Sequence, residues 1–249
     1  MYKKLILHSG GGDSLAIMLD YIEKYGPEDI ISLGFNYGQR HFKMENAAAT
    51  CFCNDNGIKR IVLDVPIGQI GGCSLVDHSI PVTTEMSEQR STVVPMRNGI
   101  FLMLASAVAQ VNDCDTIVHG ACAEDHDAYR DCRIEFFRFM EMAIQAGLTS
   151  PSYGSEEVLK DIRSNNEGGS IFPYVSPDKV DIFIETPLIF EKKEDTMKRV
   201  LMDHNVEIYK HSYSCYVGNK LSCGKCPACI ERLAAFAVNG VKDPIRYKK

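Results

Sequence analysis

The feature that most constrains this chain is Ser9-Gly10-Gly11-Gly12-Asp13-Ser14, set between two apolar stretches. Residues 4–8, Lys-Leu-Ile-Leu-His, read as a short buried strand, and the run from Leu15 through Ile22 reads as a helix. Strand, glycine loop and helix form the arrangement in which main-chain N–H groups and a helix N-terminus hold an anion. The glycines let the backbone approach phosphate oxygens, and Ser9 and Ser14 add hydroxyl donors. The loop lacks the Gly-Lys-Ser/Thr ending of one common phosphate loop, and it has no Gly-x-Gly-x-x-Gly dinucleotide fingerprint.

The first 120 residues continue in the same alternation. Residues 30–35 and 60–64 look like short strands, residues 99–111 like an apolar helix, and residues 116–119 like another strand. This predicts an α/β fold: an open parallel sheet with helices on both faces and a ligand at the carboxyl ends of the strands. We expect one phosphate-binding α/β domain over residues 1–200. Residues 201–249 should form a small C-terminal helical and metal-knuckle segment packed on the same domain. Residues 149–181, rich in Ser, Gly and Pro, read as a loop excursion around one short helix, a lid or an interface flap. The net charge is −6 and there is no basic stripe, which speaks against direct nucleic-acid binding. No apolar run approaches the length of a membrane span, and the N-terminal apolar stretch is too short for a secretion signal, so a cytoplasmic protein is expected.

Cys215, Cys223, Cys226 and Cys229 place four thiols within fifteen residues. The Cys-x-x-Cys turns aim their sulfurs at one point, and Gly218 and Gly224 permit the tight backbone of such a knuckle. Without secretion, clustered thiols serve as metal ligands rather than disulfides. Four protein ligands make a structural Zn²⁺ the first reading and an iron–sulfur centre the second.

Three polar clusters fall where the loops after strands belong. They are Asn36-Tyr37-Gly38-Gln39-Arg40-His41, Val94-Pro95-Met96-Arg97-Asn98, and the stretch from Gly120 through Asp125 to Arg133. Ser-Gly-Gly-x-Asp-Ser matches the PP-loop of the ATP pyrophosphatases. Further elements are family-like: Tyr37-Gly-Gln-Arg-His41, Gly71-Gly-Cys-Ser74-Leu75-Val-Asp77, Val94-Pro-x-Arg97-Asn98, Asp131-Cys132-Arg133-x-Glu135-Phe136, and Glu185-Thr-Pro187-Leu188 followed by Lys193. The Cys215-to-Arg232 knuckle and the tail residues Asp243-Pro244 and Tyr247 complete the set. In this order the motifs closely resemble the 7-cyano-7-deazaguanine synthase family, a PP-loop branch of adenine nucleotide alpha hydrolase-like fold, over nearly the whole chain.

The resemblance implies conversion of 7-carboxy-7-deazaguanine, ammonia and two ATP into the nitrile, with release of AMP and pyrophosphate. It implies that Ser9, Gly10, Gly11, Gly12, Asp13 and Ser14 hold the pyrophosphate of ATP and its Mg²⁺. Asp13, Arg97 and Lys193 would act on the phosphates or the acyl-adenylate. Tyr37, Gln39, Arg40, Asp125, Tyr129 and Asp131 would line the base pocket, with Asp125 or Asp131 reading the guanine-type edge, or Glu124 or Asp127 in their place. Relatives suggest a homodimer. One departure stands out: Ala128-Tyr129-Arg130-Asp131-Cys132 replaces the family's Gly-Tyr-Pro-Asp-Cys. The alternative is a specialised relative that uses the same adenylation to stop at the amide or to pass the carboxylate to another amine, for instance on a protein. Two further readings are a binding module that has lost catalysis, which the intact loop disfavours, and a sulfur-transferring enzyme using Cys122 or Cys132.

Overall fold

The structure, a computed structural model, describes residues 2–84, 91–148 and 182–248. The excursion expected at residues 149–181 lies outside the described residues. Five strands, β1 Lys3–Leu7, β2 Ile30–Asn36, β3 Lys59–Asp64, β4 Cys114–Val118 and β5 Phe183–Glu185, form one sheet in the order β3-β2-β1-β4-β5. Every pair is parallel, with Lys4 opposite Ile30 on one side and Thr116 on the other. The expected α/β architecture is therefore present.

Parallel strands buried on both faces read as near-continuous apolar runs, and in β2 the first six residues are all buried. Alternation within β1 sends neighbouring side chains into different cores. Leu5 joins Leu33, Leu102, Ile117 and Phe137 on one face, and Ile6 joins Leu15, Met18, Phe52 and Phe236 on the other. The first face is covered by α3 (Arg97–Val111) and α5 (Ile134–Leu148). The second is covered by α1 (Gly12–Tyr25), α2 (Phe42–Asp55), α6 (Lys193–Asp203) and α7 (Pro227–Val238), while a one-turn helix α4 (Asp125–Ala128) follows β4.

From β1 the chain winds outward to β3 and then crosses back to β4. The order reverses between β1 and β4, and the loops after these two strands open a crevice there. Gly120, just beyond β4, lies so close to α1 that a Cβ on it would sit 3.8 Å from the Ser14 nitrogen. Residues 200 and 201 fall inside α6, and Phe236 of α7 shares its core with Leu15 of α1. The last helix thus shares its apolar core with α1, while the cysteine-rich stretch has a small cluster of its own around Tyr213. No helix among the described residues is long and apolar enough to cross a membrane.

Candidate active site

The glycine loop is held by contacts that only its sequence allows. Gly10 has φ +98°, and a Cβ there would stand 2.3 Å from the carbonyl oxygen of Glu45 on α2. On its other side, the Tyr213 N–H donates to the Gly10 carbonyl at 2.7 Å. Ser9 Oγ accepts from Gly11 N–H at 3.1 Å, Ser14 Oγ donates to the Gly11 carbonyl at 3.1 Å, and the two hydroxyls lie 3.2 Å apart. Helix α1 then starts at Gly12 with no side chain capping it. Its first N–H groups are available to an anion, and the helix dipole favours one there.

A cleft of about 250 Å³ opens between this loop and the carboxyl ends of β1, β2 and β4. Leu7, Leu33, Gly34 and Phe35 contribute an apolar part of its wall. Arg60 lies across Gly34, where a Cβ would sit 2.5 Å from its Nη2, and it donates to His8 O and Ser32 Oγ at 3.1 and 2.7 Å. Tyr37, Arg97, Phe101 and Asp125 also line the cleft. There the Arg97 guanidinium lies 3.5 Å from the Tyr37 hydroxyl and 5.9 Å from the ring centre.

A second cavity of about 170 Å³ lies behind the loop, lined by Lys193, Tyr209, Tyr213, Glu231 and Arg232. Gly11, Asp13, Glu45 and Tyr216 line both cavities, so they form the wall between them. Lys193 begins α6 and sits 2.9 Å from Glu231 and 3.6 Å from Asp125. Burial pushes its amine down, but the carboxylates of Asp13 and Asp125 outweigh that and hold it well above its usual value. Burial raises Asp13 to about 6, opposed by Lys193 and assisted by Asp125. Glu45 is raised to about 8 by burial, against the pull of Arg97.

The predicted site residues separate into two groups. Ser9, residues 11–14, Tyr37, Gln39, Arg97 and Asp125 line the two cavities, together with Lys193, while Gly10 packs against the Glu45 carbonyl instead. The Gln39 amide is spent internally, accepting from Tyr37 N–H at 2.9 Å and donating to Phe35 O at 3.0 Å. Arg40 is not a wall of the cleft. It turns away and donates to Ser74 O, Asp77 O and Ile80 O at 2.7–2.8 Å, because three carbonyls of the 74–80 loop need a donor. Tyr129 is buried behind the wall with its hydroxyl 2.9 Å from Thr92 Oγ1. Asp131 accepts from the Asn98 N–H at 3.0 Å, supplying the α3 N-terminus with the cap its own sequence lacks. Arg130, the departure from the family pattern, is exposed and off the cleft wall. The Asp127 side chain lies outside the described residues. Cys132 does line the cleft, but burial pushes its thiol up to about 12, and burial raises Cys122 further, so neither is a ready thiolate.

Sequence reasoning missed Glu45, Arg60, Tyr216 and Glu231. Glu45 had one available signal: it follows His41, the residue at the N-cap of α2, by four positions, and the two side chains lie 3.5 Å apart. Tyr216 had a different disguise, since it stood inside the thiol motif as a spacer.

The four thiols lie within 4.8 Å of one another. Cys223 and Cys229 Sγ are 3.9 Å apart, against an edge of about 3.8 Å for a tetrahedron with Zn–S bonds of about 2.3 Å. The N–H groups of Lys225 and Cys226 point at Cys223 Sγ at 3.4 and 3.3 Å, and that of Cys223 points at Cys215 Sγ at 3.2 Å. This spacing suits one tetrahedral ion, and a multi-iron cube would hold its cysteines farther apart. Gly218 (φ +78°) presses on the loop after β2, where a Cβ would meet Arg40 O at 2.3 Å. Tyr216 stacks obliquely on His41 at 5.6 Å. The metal segment is therefore part of the site wall as well as a staple.

The sequence profile described as "QueC: Queuosine biosynthesis protein QueC" matches residues 3–240. Among similar proteins, the 7-cyano-7-deazaguanine synthase of a Nitratiruptor species is 35% identical over 249 residues, covering 99% of each chain. Those of Psychromonas ingrahamii and Nautilia profundicola are 34% and 33% identical, covering 99% and 100% of this chain and 98% and 100% of theirs. The U34-tRNA thiolase NcsA from Methanococcus maripaludis, solved with its [4Fe-4S] cluster, is similar at 16% identity and a TM-score of 0.45, over 96% of this chain and 66% of that one. A likeness of that strength says nothing about metal or substrate here. The profile match and the full-length relatives agree: this chain belongs to the QueC family of queuosine biosynthesis proteins.

Proposed function

We propose that the protein is an ATP-dependent, AMP-forming C–N ligase that makes 7-cyano-7-deazaguanine from 7-carboxy-7-deazaguanine and ammonia. The observation that carries this reading is the convergence of an uncapped α1 N-terminus, Arg97, Asp125 and Lys193 on two adjoining cavities. A carboxylate is a poor electrophile because its leaving group would be an oxide. Its oxygen attacks the α-phosphorus of ATP and pyrophosphate leaves. Ammonia attacks the acyl carbon and AMP leaves with that oxygen, giving the amide. The amide oxygen is adenylated by a second ATP, and loss of AMP and a proton yields the nitrile.

The chain's part is positioning and charge stabilisation. Residues 9–14 receive the pyrophosphate on main-chain N–H groups, the two serine hydroxyls and the α1 dipole. Asp13 is the carboxylate placed to hold Mg²⁺, which supplies charge neutralisation when bound. Arg97 and Lys193 offset the charge that spreads over the phosphates and the acyl-adenylate. Tyr37 offers its ring to the deazaguanine, and Asp125 accepts from a guanine-type N1–H and 2-amino edge. Gln39, Arg40, Tyr129 and Asp131 brace these groups from behind. Zn²⁺ is the ion we assign to the four thiols, where it fixes the wall that carries Tyr216. A cytoplasmic homodimer acting on small molecules without nucleic acid completes the proposal.

The test is mass spectrometry of protein incubated with Mg-ATP, ammonium and 7-carboxy-7-deazaguanine. The expected products are the nitrile and AMP, and Asp13→Ala should abolish AMP formation while leaving the circular dichroism spectrum unchanged. Amide as the only product, or AMP release with neither amide nor nitrile, would overturn the assignment.

A further inference from the structure

A second group of metal-type donors lies away from both cavities. Cys51 and Asp55 stand four residues apart on one face of α2, and His211 closes the 3-10 turn Val206–His211 that packs against that helix. Cys51 Sγ is 3.6 Å from Asp55 Oδ2, and His211 Nδ1 is 3.9 Å from the same oxygen. All three donor atoms lie within 4.8 Å of one another. Bond lengths of about 2.3 Å to sulfur, about 2.1 Å to a carboxylate oxygen and about 2.05 Å to imidazole fix what a tetrahedral ion needs. The edges are then about 3.6 Å for S···O and about 3.4 Å for N···O. The first is met as it stands, and the second needs a closure of about half an ångström, which one rotation of the partly exposed His211 ring supplies. The ring plane is already steered by an edge contact with Phe52 at 5.9 Å between ring centres.

We infer that Cys51, Asp55 and His211 form a surface site for one divalent transition-metal ion of the zinc class, with solvent in the fourth position. A thiolate, an imidazole and a carboxylate in one set exclude Mg²⁺ and Ca²⁺, which take oxygen ligands, and suit Zn²⁺ or Co²⁺. The position has a mechanical consequence. Helix α2 also carries Glu45, whose carbonyl backs Gly10, and two residues beyond His211 the Tyr213 N–H holds the Gly10 carbonyl at 2.7 Å. An ion bridging Cys51 and Asp55 to His211 joins the two segments that cradle the phosphate loop, at a point outside the loop itself.

The test uses the full chain under a non-chelating phosphine reductant, with the four-cysteine site filled by zinc, and Co²⁺ as the probe. The account predicts a second bound metal per chain, a near-ultraviolet thiolate-to-cobalt absorption band, and a rise in Tm on adding Co²⁺. Cys51→Ser removes the band, and Cys51→Ser and His211→Gln each weaken the second binding event at least tenfold while the zinc content stays at one per chain. A stoichiometry that stays at one metal per chain overturns the inference. So does a second ion that binds equally well in either variant, because the three residues would then not be its ligands.

Discussion

Arg232, a buried residue in the middle of α7, sits in a network whose loss should be measurable. Its Nε and Nη2 donate to the two Asp243 oxygens at 2.6 and 3.1 Å, with side chains only 5% and 1% exposed. Asp243 also accepts from the Tyr247 hydroxyl at 2.5 Å and from the Ile245 N–H at 3.1 Å. The guanidinium reaches on to Ser212 Oγ and Tyr209 O at 2.8 and 3.2 Å. Asp243→Asn keeps the shape but turns one acceptor into a donor and leaves the buried cation uncompensated. Breaking one partner of such a pair costs about 3–5 kcal/mol. We expect that loss in an equilibrium urea titration, with a lower midpoint and an unchanged slope. Because Tyr209 and Ser212 lie just ahead of Tyr213, whose N–H holds Gly10, Mg-ATP affinity should fall in the same variant under native conditions. A stability change below about 1 kcal/mol would refute the argument, since a pair that cheap to break behaves as a solvent-screened one. Arg232→Met combined with Asp243→Leu should recover most of the loss, because removing both charges leaves no orphan.

Gly10→Ala forces a Cβ against the Glu45 carbonyl at a left-handed backbone position, so Mg-ATP binding measured by calorimetry should be lost. Glu45→Gln should flatten the pH dependence of stability. The folded pKa of about 8 lies above the ordinary carboxylate value. Ionisation is therefore costlier in the fold, and stability falls as pH rises toward 8, by up to about 1.4 kcal/mol per unit. Parallel Tm-versus-pH curves for parent and variant between pH 5 and 8 would contradict this. Asp13, raised to about 6, should lose its grip on the metal–nucleotide as pH falls through that value, seen as weaker Mg-ATP binding below pH 6. Cys226→Ser should give protein that does not hold the zinc we assign to the four thiols, and because Tyr216 lines both cavities, any soluble fraction should turn over slowly.

The strand–glycine loop–helix arrangement was legible because its requirements are local. Strand, glycines and helix are contiguous, and the positive φ of Gly10 is a demand that only glycine meets. The four thiols were legible for the same reason. What the sequence hid was set by tertiary placement. Strand β5 spans only Phe183–Glu185, too short for a period to show, and β4 supplies most of its definition. Arg40 and Asp131 carry the residue types of a binding site, yet both serve main-chain groups brought near them by folding. Glu45 and Tyr216 gave the opposite error, for their settings, the acidic first turn of a helix and a four-cysteine knuckle, offered a sufficient structural reason for them. The tail motif Asp243-Pro244 with Tyr247 was recognisable only by resemblance, and its physical reason is Arg232.

The central claim is that both carboxylate oxygens leave on AMP. The direct measurement is to supply 7-carboxy-7-deazaguanine labelled with ¹⁸O at both carboxylate positions, together with ammonium and Mg-ATP, and to weigh the AMP. The account predicts two AMP per nitrile, each carrying one ¹⁸O. Unlabelled AMP would place the adenylation on water or on a protein group and contradict it.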